Sequence, residues 1–183
     1  MNAGEQLVAD YLQYVKGCQF VEQSLITTKE QGEIDVIGIN IVKKELYICE
    51  VAIHLETGLQ YTKDRRPNNI KKFIDKFTRC SNYANEYWKG YTHIFMLWSP
   101  IVKSPKKDSS HSQVKDVEEI VSTLQQKNIK VTPIINQDFM KYIEELKECA
   151  SDTTNELKSP IMRYMQIERK LERHLRNTTQ TKK

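Results

Sequence analysis

Glycine and proline are scarce in this sequence, 6 and 5 of 183 residues. They form no repeat and no rich stretch, which excludes collagen-like and linker-like chains. Cysteine is scarcer still. Cys18, Cys49, Cys80 and Cys149 stand at least 31 residues apart and form no C-x-x-C pair. That spacing argues against a zinc ribbon or a thioredoxin-like site. Buried free thiols in a reducing compartment are the default reading. No apolar run approaches the roughly 20 residues of a membrane span. The opening Met1-Asn2-Ala3-Gly4-Glu5 lacks the basic and apolar regions of a signal peptide. These absences predict a cytoplasmic protein with no membrane partner. What remains is a length suited to one domain with a short appendage, with 39% hydrophobic and 28% charged residues.

Charge of one sign is also in short supply: 28 Lys and Arg stand against 24 Asp and Glu, a net +4. Residues 1–99 hold 12 of each sign, 100–149 hold 8 of each, and 150–183 hold 8 basic against 4 acidic. The whole excess lies in a basic tail, which hints at a polyanionic partner or a solvated terminus.

Periodicity predicts a first helix from about Ala3 to Lys16, stopped by Gly17. Three strand-like stretches follow: Cys18–Ile26, Ile34–Val42 and Glu45–Leu55, the last two joined by Lys43-Lys44 as a hairpin. Ile70, Phe73, Ile74, Phe77, Cys80, Ala84, Tyr87 and Trp88 form an apolar stripe that predicts a helix over 68–88. The apolar run Thr92–Trp98 predicts a strand covered on both faces. Ser99–Ser112 reads as a surface loop carrying Lys103, Lys106 and Lys107. Val114–Leu124 predicts a helix, Ile129–Ile135 a strand, and Phe139–Leu146 a further helix. Ser151–Ser159 reads as a linker, and Pro160 opens a last amphipathic helix. The chain thus divides into an α/β domain, 1–150, and a linker with a basic helix, 151–183. The element order implies a mixed sheet with helices on both sides.

Two carboxylates break the strand patterns. Asp35 sits among Ile34, Val36 and Ile37, and Glu50 interrupts Leu46-Tyr47-Ile48-Cys49 before Val51-Ala52-Ile53-His54. Alternation puts Leu46, Ile48, Glu50, Ala52 and His54 on one face. An uncompensated buried carboxylate is costly, so each must be paired, solvated or bound to a cation. One such acid reads as a strand-end group facing solvent or pairing with a lysine. Two on neighbouring strands point to a hard-oxygen site for Mg2+ or Mn2+.

These residues resemble the PD-(D/E)xK nuclease-like superfamily, whose core runs α-β-β-β-α-β. Gly32-Glu33-Ile34-Asp35 resembles the Asp element of Mrr-like restriction enzymes and Holliday-junction resolvases. Glu50-Val51-Ala52 occupies the second element, and Gly4-Glu5-Gln6 matches the first-helix glutamate. The resemblance implies an α/β, restriction-endonuclease-like mixed β-sheet core flanked by helices, with a C-terminal helical extension. It implies metal ligation by Asp35 and Glu50, support from Glu5, and Mg2+-dependent cleavage of DNA. The family's lysine is missing, because Ala52 stands in its place. Either a helix cation reaches the same point, Lys72 first with Lys71 and Lys76 behind it, or the domain is a degenerate nuclease that only binds. Glu33, His54 and Gln60 are accessory candidates, His54 as a base or ligand near neutral pH.

Residues 60–79 hold seven basic side chains against two acids. Lys63, Arg65, Arg66, Lys71, Lys76 and Arg79 are therefore expected to meet the phosphates of DNA. A homodimer follows only by analogy with nucleases that cut both strands.

Overall fold

The computed structural model describes residues 2–27, 32–105 and 111–180. Helix α1 spans Ala3–Asp10 and continues through a π-helical turn, Tyr11–Val15. Strands β1 (Phe20–Thr27), β2 (Gly32–Asn40) and β3 (Glu45–Val51) form an antiparallel meander. A small ribbon follows, β4 (Thr62–Lys63) against β5 (Arg66–Pro67), and leads into α2 (Asn69–Tyr87). Strand β6 (Thr92–Ser99) lies parallel to β3. Helix α3 (Gln113–Gln126) precedes β7 (Val131–Ile135), which is parallel to β6. Helices α4 (Asn136–Asp152) and α5 (Pro160–Gln180) end the chain. The five-stranded mixed sheet has the order β1-β2-β3-β6-β7, as expected for an α/β fold with helical flanks.

Alternation in the central strands divides the core. Leu46, Ile48, Phe95 and Leu97 meet Phe73, Phe77 and Cys80 of α2 and Ile120 and Leu124 of α3. Tyr47, Cys49, Met96 and Trp98 face the other way, against Val8, Leu12, Phe139 and Leu146. Strands buried on both faces read as continuous apolar runs, which explains Thr92–Trp98. The apolar letters Ile41 and Val42 suggest a longer β2, but they belong to the turn. Val42 is 84% exposed, and Lys44 adopts a positive φ of 53°. The Asn40 side chain closes this turn: its carbonyl accepts from the Lys43 N–H at 3.0 Å and its amide donates to the Lys16 carbonyl.

Helix α1 packs closely on the end of β3. A Cβ added at Gly4 would fall 2.3 Å from Cγ1 of Ile53, so only glycine fits. Helix α5 docks through Met162 and Met165 on the α1–α4 side of the core. Its start is held by Ser159. That hydroxyl donates to the buried Asp10 carboxylate and accepts from the Met162 N–H at 3.5 Å. Among the described residues, no helix is long and apolar enough to cross a membrane.

Candidate functional site

Glu50 is the penultimate residue of β3, fully buried on the face covered by α2. The adjacent β2 carries Asp35, whose Oδ2 accepts from the Val51 N–H at 2.7 Å, which fixes that carboxylate against β3. Between the two acids stands the ammonium of Lys76. It lies 2.9 Å from Asp35 Oδ1 and is ion-paired with Glu50 Oε2. One turn further along α2, the Cys80 thiol reaches Glu50 Oε1 at 3.5 Å. A single helix face thus supplies both groups that meet Glu50, since residues four apart lie one above the other.

The electrostatics follow from burial and proximity. Burial, then the charge of Asp35, pushes the Glu50 carboxyl up to about 8, although Lys76 pulls the other way. Burial opposes the charge on Lys76, but Glu50 and then Asp35 outweigh it and hold the ammonium above its ordinary range. Burial and the Glu50 charge raise the Cys80 thiol, leaving it protonated.

The expectation for Lys72 needs correcting. Its ammonium lies over the Tyr61 ring, 3.2 Å from the centroid, and burial followed by the neighbouring Lys76 lowers its pKa. Lys76, expected among the phosphate-binding residues, is withdrawn from the surface into the acid pair. The helical wheel contains the signal that separates them. At 100° per residue, Lys76 stands about 70° from the middle of the Phe73–Ala84 stripe and Lys72 about 110°. Of these two lysines, Lys76 is therefore the one angled toward the sheet. Ala52, just past the end of β3, is buried in the cluster under α2 and its N–H pairs with the Trp98 carbonyl, so this position offers a methyl and no charge to the acids. The cation comes instead from the opposing helix.

The remaining candidates spread around this centre. Glu33, Lys63, Lys71, Lys72, Lys76 and Arg79 line one cleft of about 480 Å3, with Asn68 and Asp75. Five cations against two acids give its wall a net positive charge. Lys71 spends its charge on Asp75, 2.5 Å away and one turn on. Arg65 and Arg66 stand exposed on the ribbon, where Asp64 and Arg65 both take positive φ. Gln60 is exposed. His54 packs edge-on against Tyr61 at 5.3 Å, and its Nε2 is buried with no hydrogen-bond partner among the described residues. Glu5 accepts from the Asn2 amide and, at 3.2 Å, from the Ser24 hydroxyl. Lys103 donates to the Glu56 carbonyl, and Lys106 and Lys107 lie outside the described residues. Much of the basic tail is neutralised internally: Arg163 pairs with Glu156, Arg169 with Glu144 and Glu172, and Arg173 with Asp152.

Two positioning groups escaped the sequence reading. Asn69, 1% exposed, donates to the Leu59 carbonyl and to Asp116, and accepts from the Tyr61 N–H at 2.7 Å. Asp116 in turn meets His111 Nε2 at 3.0 Å. An asparagine at a helix start reads as an ordinary cap in sequence, so nothing there marked its role as a tie.

As a cation site, the donors are two carboxylates. Among the described residues, no group of three or more His, Cys, Asp or Glu side chains is arranged to hold a metal. Two carboxylates suit Mg2+ or Mn2+, which complete their shells with water and phosphate oxygens. They do not suit zinc, which takes nitrogen and sulfur ligands in closed sites. No family model matches the chain, and no curated protein or solved structure is found to match it.

Proposed function

We propose that this chain is a metal-dependent DNA endonuclease that hydrolyses phosphodiester bonds in restriction, repair or recombination, with a migrated lysine in place of Ala52. The observation that carries the reading is the Lys76 ammonium between Asp35 and Glu50 at a basic cleft. A lone buried ion pair needs one acid. Here two acids converge on one ammonium, so the second carboxyl is balanced either by a proton or by a further cation such as a divalent ion.

Asp35 and Glu50 would hold Mg2+ or Mn2+, an ion that polarises a phosphoryl oxygen and lowers the pKa of bound water. The chain's own groups do the rest. Lys76 balances negative charge beside the carboxylates and offers its N–H donors to a phosphate oxygen. Lys63, Lys72 and Arg79 draw the phosphodiester backbone into the cleft, and Arg65 and Arg66 extend that contact along the ribbon. The Val51 N–H keeps Asp35 oriented, and a cation held by both acids would require the Lys76 ammonium to shift from between them.

A second reading, a nuclease-like fold that binds DNA or serves as an assembly subunit without cutting, is favoured by the same ammonium. Lys76 already supplies a cation to both acids. Supercoiled plasmid, linear duplex and branched DNA incubated with Mg2+ or Mn2+ separate the two. The expected result is nicking or cleavage by wild type, reduced about a hundredfold or more by Asp35→Asn and by Lys76→Met, while DNA binding persists. Wild type that binds but cuts none of these substrates would establish the second reading.

A further inference from the structure

We infer that α5 pairs in parallel with α5 of a second copy of this chain, forming a two-fold homodimer. This inference rests on the geometry of the last helix and not on the endonuclease reading.

A surface helix needs one apolar stripe, the one that faces the body. Helix α5 has two. Met162 and Met165 are buried against the core, together with the amide of Gln166. Tyr164, Ile167 and Leu171 are 67%, 53% and 53% exposed, and Leu175 continues the line. At 100° per residue, the middles of these two stripes lie about 170° apart. The outer stripe therefore cannot reach the body by any rotation that keeps the inner one docked. Tyr164, Ile167 and Leu171 take the three-then-four spacing of a coiled-coil seam, and Leu175 lies beside it one turn on, the whole line being about 16 Å long. Four large apolar side chains in one line exceed the scattered exposure ordinary for a soluble surface.

The flanks of the outer stripe identify the occupant and its direction. Arg163 and Lys170 border it on one side, Glu168 and Glu172 on the other. Parallel pairing of two such helices brings the basic flank of one against the acidic flank of the other, with Arg163 opposite Glu168 of the second copy, twice by symmetry. Antiparallel pairing sets base against base and acid against acid. Within the chain, Arg163 pairs with Glu156, 82% exposed, and Glu168 with Lys147 at 3.3 Å. The first is an exposed pair, weak and readily exchanged, although Arg163 also donates to Gln166 at 2.8 Å; the second is part-buried, with Lys147 23% and Glu168 33% exposed. An anionic membrane would leave the acidic flank unfavourably placed, whereas a second copy satisfies both flanks.

Sedimentation of the full chain between about 1 and 100 μM tests this. A concentration-dependent dimer is expected, with its dissociation constant raised about a hundredfold by Leu171→Asp. Circular dichroism of that variant should match wild type, because the position faces away from the core. Arg163→Glu and Glu168→Arg should each weaken the dimer about fivefold, and mixing the two variants should restore it. Glu156→Gln should leave it unchanged. A wild type that stays monomeric over the range, or that binds phosphatidylserine vesicles as a monomer, overturns the inference. A dimer indifferent to Leu171→Asp would also do so, as would a mixture that fails to recover.

Discussion

Glu50 and Lys76 set the residue-scale energetics. A carboxylate with no exposure in a central strand is tolerated only because an ammonium and a thiol meet it. Lys76→Met should lower the unfolding free energy by about 3 kcal/mol, since it strands a buried acid without its counter-ion. Lys72→Met removes a contact with the Tyr61 ring and should cost about 1 kcal/mol or less. Urea unfolding of the two variants measures the difference, and equal losses would count against Lys76 as the buried partner. Both acids were legible as anomalies in apolar runs, and the absence of a lysine at position 52 was equally plain. Which helix cation meets the acids depends on how α2 is rotated on β3, which Phe73 and Phe77 determine by packing. The angle of each lysine to the Phe73–Ala84 stripe carries that rotation, a signal that a bare list of basic residues omits.

At the scale of elements, the joint between α1 and α5 rests on Asp10. Burial raises its pKa from 3.8, against the hydrogen bonds from Ser159 and Gln6. The folded protein therefore holds this proton more tightly than the unfolded chain does. The group's stabilising contribution is complete below its unfolded value and is lost as pH rises through its folded value. The stability of wild type relative to Asp10→Asn should accordingly fall over an interval that opens at about pH 4, the unfolded value, and closes above it. Urea titrations of both proteins across that interval check the slope, and a difference that grows with pH would refute the sign. Element identities were readable from periodicity, including Pro160 at the first position of α5. Ends were less so: β3 stops at Val51, not Leu55, because the chain then leaves the sheet to form the loop that Asn69 gathers in.

The whole molecule distributes its charge differently from its sequence. The formal excess lies beyond residue 149, yet the structure pairs three tail arginines with acids and leaves the cleft by α2 as the site of net positive charge. Lys72→Gln combined with Arg79→Gln should therefore lower the salt dependence of DNA affinity by about 2 in log–log slope, at about 0.9 per phosphate contact. Arg173→Gln should leave that slope nearly unchanged. Fluorescence anisotropy over a sodium chloride series distinguishes the two, and the reverse ranking would move DNA to the tail. The mixed sheet was predictable from element order, but this redistribution was not, because ion pairs such as Arg169–Glu144 join residues 25 apart. The Asn69 tie also constrains motion. By fastening Leu59 and Tyr61 to α2, and α2 to Asp116 of α3, it joins the loop after β3 and the two helices into one hydrogen-bonded unit. Any ligand drawn to the neighbouring basic cleft, DNA under the proposed function, would meet this tied unit close to the β4–β5 tip, where Asp64 and Arg65 hold positive φ.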